Sequence, residues 1–148
     1  MSVKADPFSA PANFRAWVYE AIILQLETER VRYVDKRYHK ATLKKVIGLT
    51  VEMRKNLPDV QSLENEQGFG CSEEFLVFYN DKGTGHECLF KRLRDAFAHG
   101  DYGSPSLKWV EIKHRFKGRN DKVELTRIFG RLKIQTLKNL VAYIDTSS

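Results

Sequence analysis

Apolar side chains recur along this chain at two different periods, and the change of period marks out its elements. Phe14, Trp17, Val18, Ala21 and Ile22, and then Leu43, Val46, Ile47, Thr50 and Val51, fall at three- and four-residue spacings. That spacing gives a helix one apolar stripe, so two long helices are predicted first. Asn13 suits the N-cap of the first, since its side chain can accept from an amide without an intrahelical partner. Pro58 should end the second, because a proline pushes the residue before it away from helical dihedrals. The connection around Val34 to Tyr38 is short, so the two helices should run antiparallel. The first twelve residues precede this pattern and are expected to form a flexible arm.

From Asp59 to Gly70 the chain is polar and aperiodic, which predicts a loop. Ser72 then opens a short apolar helix, SEEFLVFYN, with Glu73 and Glu74 near its positive end. Asp81-Lys82-Gly83-Thr84-Gly85 reads as a turn, since neither glycine pattern of a phosphate-cradling loop is present. A helix from about His86 to His99 follows, stopped by Gly100. After Gly103-Ser104-Pro105 the period becomes two. Val110, Ile112, His114 and Phe116 face one way, and Val123, Leu125 and Phe129 repeat the pattern beyond a turn at Lys117 to Asn120, which predicts a hairpin. A last helix starts from Thr136 as N-cap and buries Leu137, Leu140, Val141 and Ile144. The reading is a mainly α domain with one hairpin before the final helix.

Length and composition fit that reading: 148 residues with 42% apolar content suit a single domain. No run has the roughly 18 apolar residues a membrane span needs, and the opening MSVKADPFSAP has Asp6 and two prolines where a signal peptide is apolar. A cytosolic location is expected, with no membrane partner. Cys71 and Cys88 are too few for a disulfide framework and lack zinc-site spacing, so reduced thiols are expected and no metal or cofactor is implied.

Charge alters the picture at the hairpin. Between Lys108 and Lys133 nine cations face three acids, so this segment holds the whole net charge of +6. A local basic patch attracts polyanions, RNA among them. Lys113, Arg115 and Arg127 are its candidate RNA contacts, and a merely solvated hairpin is the competing reading.

The densest chemistry lies in KRLRDAFAHGDYG, Lys91 to Gly103. At about 100° per residue, Leu89, Phe90, Leu93, Ala96 and Phe97 form the core stripe and Lys91, Arg94, Asp95, Ala98 and His99 the other side. Arg94 and His99 are then about 140° apart and cannot meet on one small group unless the last turn unwinds. A two-fold partner approaching over the small Ala98 would bring a second Arg and His across. Asp95 and His99, four apart, can meet, and a carboxylate there would orient the imidazole.

This stretch, with the basic hairpin and the closing LKIQTLKNLVAYI, resembles the HEPN superfamily (higher eukaryotes and prokaryotes nucleotide-binding), particularly small prokaryotic members reading LRNAxAHG. The resemblance is specific from about His86 to Ile144. In catalytic members an Arg and a polar residue precede, by three further residues, a His; here these are Arg94, Asp95 and His99, with Asp where Asn is frequent. The resemblance implies an antiparallel four-helix bundle that dimerises through the Arg94 to His99 helix. It implies a metal-independent endoribonuclease, often a toxin or abortive-infection effector, with an antitoxin or defence-system partner. His99 would move the proton, Arg94 would bind the phosphate, and Lys91 and Tyr102 would flank the RNA. A non-catalytic module binding RNA, a nucleotide or a partner is the alternative, and a purely structural subunit a third. His114 reads as packing, His86 and His39 as solvated, Trp17 as core, and Trp109 as a cover for the bundle or a base-stacking surface.

Overall fold

The structure is a computed structural model that describes residues 10–24, 40–67, 73–81, 85–106, 108–119 and 122–144. Among these residues lie helices α1 (Ala12–Val18, continued by a π-helical turn, Tyr19–Ile23), α2 (Lys40–Ile47), α3 (Leu57–Gln67), α4 (Gly85–Ala98) and α5 (Ile134–Ile144). They surround strands β1 (Thr50–Arg54), β2 (Phe75–Tyr79), β3 (Tyr102–Gly103), β4 (Trp109–Phe116) and β5 (Leu125–Lys133). The strands form one sheet in the order β1-β2-β5-β4-β3, in which β1 and β2 run parallel and all other neighbours antiparallel.

A five-stranded mixed sheet overturns the mainly α, four-helix bundle: this is an α/β fold. The expected hairpin exists as β4 and β5, but β2 pairs with its other edge and makes β5 the centre of the sheet. Gly130 permits that approach. A Cβ there would strike the Phe75 carbonyl oxygen and lie 2.6 Å from the Leu76 side chain.

Three local misreadings account for the difference. Gly48, at φ 81°, closes α2 before Thr50 and Val51, which join the sheet instead of extending the helix. Pro58 does not stop a helix but sits in the first turn of α3, where its missing N–H costs nothing. Asn56 caps that helix, its Oδ1 accepting from the Asp59 amide at 2.9 Å, so the expected loop after Asp59 is helical. Finally FLVFY, where a helix is expected, is a strand whose first four residues are buried on both faces. A strand between two neighbours under helices on both sides needs no polar alternation.

One face of the sheet presents Val51, Leu76, Phe78, Val110, Ile112, Ile128 and Leu132 to α1, α2, α4 and α5. The other presents Phe75, Val77 and Phe129 to Val60 and Leu63 of α3. The apolar stripes of α4 and α5 are buried as expected, and so are Phe14, Val18 and Ile22 of the first helix, with Trp17 packed beside them. Asn13 lies inside α1, where Pro11 is the N-cap, although its Oδ1 accepts from the first-turn Phe14 amide at 2.9 Å; Thr136 is buried in α5 and caps no helix start. The expected arm lies outside the described residues as far as residue 9, and from the buried Ala10 onward the chain is packed. The Val34 to Tyr38 connection, His39 and Cys71 also lie outside them, as does the side chain of His86. Among the described residues no helix is long and apolar enough to cross a membrane.

Candidate active site

The end of α4 builds the site. The His99 amide donates to the Asp95 carbonyl at 3.1 Å, so the helix stays regular through His99. Gly100 then takes φ 71° and the Asp101 amide returns to the Ala96 carbonyl at 2.8 Å, a closure that turns the chain sharply towards the sheet. Asp101 next accepts from the Lys113 amide at 3.1 Å, and Tyr102 pairs with Ile112. This pairing sets Asp101 beside His114, which faces the helix layer from β4.

His114 is only 5% exposed, and a buried imidazole without a polar partner would be costly. Its Nδ1 lies 2.7 Å from the Asp101 Oδ2. With Asp101 ionised, Nδ1 donates, and Nε2 becomes the atom that exchanges protons. The exposed His99 ring lies on His114, their centroids 5.1 Å apart and their planes 20° from parallel. An anchored imidazole, an exposed imidazole and a carboxylate thus converge at one rim of the sheet, a set suited to moving protons at a bound substrate.

Within one chain the trio does not converge, as the helical spacing of Arg94 and His99 implies. Because α4 does not unwind, Arg94 and His99 remain about 140° apart around it. Asp95 accepts from Arg94 at 2.8 Å instead of orienting His99. His114 is buried, in keeping with its reading as packing, and sequence reasoning did not anticipate Asp101 as its partner. The signal was present: a histidine facing a core calls for a partner, and Asp101 directly follows the helix-stopping glycine.

The candidate RNA contacts lie elsewhere. Tyr102 is buried in an aromatic cluster, its ring 4.7 Å from that of Phe97 and 6.2 Å from that of Phe14, and burial pushes its phenol up against the opposing charge of Arg15. Lys91 is exposed and 3.4 Å from Glu87. Lys113 and Arg115 both turn to Glu64 of α3, at 2.8 and 3.4 Å, and Arg127 lies over the Tyr79 and Phe116 rings. Trp109 lies under the Arg131 guanidinium, 4.3 Å from its ring centroid. Cys88 is a buried free thiol whose Sγ is 3.3 Å from the Tyr79 carbonyl, and burial pushes it up. Among the described residues no group of three or more His, Cys, Asp or Glu is placed to hold a metal ion. No family model, curated protein or solved structure matches the chain.

Proposed function

We propose that this protein is a metal-independent ribonuclease of the cytosol whose acid–base pair is His99 and His114, with Asp101 holding His114. The stacked pair anchored by Asp101 is the observation that carries this reading. The reaction class is supported by the likeness of Arg94, Asp95 and His99 to the catalytic HEPN motif, a likeness confined to the motif and not extending to the fold.

His99, exposed, takes the proton of a ribose 2′-hydroxyl, whose oxygen attacks the adjacent phosphorus. The bond to the 5′-oxygen breaks, and that oxygen receives a proton from Nε2 of His114, which enters the step as the imidazolium and leaves it as the Nδ1–H tautomer held by Asp101. The products are a 2′,3′-cyclic phosphate and a 5′-hydroxyl. Two imidazoles 5.1 Å apart can serve the entering and leaving oxygens of one phosphate. His114 meets the substrate only at the rim of its ring, since it is almost buried. A partner chain was expected because Arg94 and His99 lie about 140° apart on one helix; in this reading His114 supplies a second imidazole within one chain, and Arg94 stays outside the acid–base pair.

The test is total RNA incubated with the protein in EDTA. His99→Ala and His114→Ala should each lower the rate by about 10²- to 10⁴-fold, the usual worth of a histidine acid or base. Full activity of folded His99→Ala, or inactivity of the wild type on all RNA, would remove the enzyme and leave a binding module.

A further inference from the structure

We infer that the patch of sheet formed by Trp109, Arg131 and Lys133, on the face opposite the histidine site, binds a single strand of RNA by base stacking and phosphate contact. The choice of RNA over DNA rests on the ribonuclease reading; the surface does not.

The patch follows from strand register. Trp109 pairs with Lys133, Glu111 with Arg131 and Lys113 with Phe129, so these side chains share the face on which α3 packs. Val60 of α3 covers Phe129, and Glu64 reaches Lys113 and Arg115. Trp109 and Lys133 lie two pairs further along and Arg131 one. There the Arg131 guanidinium is 4.3 Å from the indole centroid and the Lys133 ammonium 5.8 Å. The acids facing the patch are Glu111, 3.8 Å from the Arg131 Nε, and Glu74, which accepts from the Lys133 amide at 2.7 Å.

Charge and shape together select the occupant. The segment from Lys108 to Lys133 carries nine cations against three acids. Lys113 is turned inward to Glu64 and Arg115 is paired with the same carboxylate, whereas Arg131 and Lys133 are drawn over a flat indole. An indole and a guanidinium plane offer the stacking surfaces that unpaired bases use, and the adjoining cations suit the phosphates between them. A duplex hides its base faces and gains only the charge. Burial pushes the Glu111 carboxyl up, with Arg131 opposing, so the acid at the patch is itself held at some cost. Removing that acid should favour a polyanion.

The experiment uses His99→Ala as parent, so that the probe survives, and follows the anisotropy of a fluorescein-labelled oligouridylate at several salt concentrations. Trp109→Ala should weaken binding roughly five- to hundredfold, the range for loss of one aromatic base-stacking contact, while Trp109→Phe stays close to the parent. Lys133→Glu should weaken binding and lower the salt slope by about one. Glu111→Gln should tighten it. If Trp109→Ala fails to fold, the opposite signs expected of Lys133→Glu and Glu111→Gln decide. Parent-like affinity in folded Trp109→Ala, equal affinity for a duplex of the same length, or unchanged affinity in both charge variants would overturn the inference. Cleavage by the wild type with no effect of these variants would sink this surface alone. Tight, Trp109-dependent binding without cleavage would sink the ribonuclease alone.

Discussion

Replacing Asp101 with Asn tests the site with the least change of shape. The carboxylate lies 2.7 Å from the His114 Nδ1, a charge-assisted bond of a kind worth about 1.5 to 3 kcal/mol. The Asp101 side chain is 34% exposed, so water recovers part of that on substitution and a stability loss of about 1 to 2 kcal/mol is expected. For a chain of this size that lowers the melting temperature by roughly 2 to 8 °C. The effect on cleavage should be larger than this loss suggests. An amide can offer N–H to Nδ1 as readily as accept from it, so the tautomer that frees Nε2 is no longer fixed. If His114 is half of the acid–base pair, the rate in EDTA should fall by about 10²-fold or more. Rates and circular-dichroism melts would be measured on the same preparation, at a temperature well below both transitions. A folded Asp101→Asn protein within twofold of the wild-type rate would refute the role given to His114.

Arg94→Ala should reduce cleavage less than His99→Ala, because Arg94 points about 140° away around α4; equal losses would favour a site shared between two chains. Specific activity should likewise be constant on dilution of the protein, and a steep fall would show that a second copy is needed. Gly130→Ala should lower stability by about 3 kcal/mol in urea titrations, since the new Cβ meets the Phe75 carbonyl and the Leu76 Cα as well as the Leu76 side chain, and the backbone atoms cannot swing aside; a change under 1 kcal/mol would contradict that geometry. Burial alone would raise the Glu52 carboxyl, but hydrogen bonds and charges from Lys40 and Arg54 outweigh it and hold the group below its ordinary value. Its contribution is therefore complete above the ordinary glutamate value and lost as pH falls through the folded one. Between roughly pH 6 and 3, wild-type stability should fall more steeply than that of Glu52→Gln, and parallel curves would contradict the shift.

Periodicity made α4, α5 and β4 legible, because each alternates buried positions with more exposed ones, and β5 was found by its turn to β4 although Thr126 to Gly130 are buried on both faces. It failed where that asymmetry is absent. Phe75 to Phe78 are buried on both faces, so their run of apolar residues holds no period to separate strand from helix. In α3 the apolar signal is thin: Val60 and Leu63 pack on the sheet while Pro58, a residue of opposite meaning at the start and end of a helix, was assigned to the wrong end. The hairpin's phase slips between His114 and Arg115, where Arg127 is an additional residue in β5. Beyond it Phe116 is 53% exposed, and Val123, outside the strand, is 62% exposed. For the candidate site, the motif names the helix end at which His99 lies against His114. Its chemical partners came from a pairing between Asp101 and β4 that depends on tertiary structure, so spacing along the chain could not supply them.

The position of β5 bears on how the chain emerges from the ribosome. β2 pairs on one side with β1, but its other neighbour is a strand some fifty residues later, and the cover over its central apolar residues depends on Phe129 and Ile128 of that strand. Until residues 125–133 are made, a bare apolar edge must wait, able to pair with any other extended chain it meets. Folding is thus gated by the last third of the sequence, and a polypeptide interrupted before β5 would be a better seed for aggregation than a fragment with partial function.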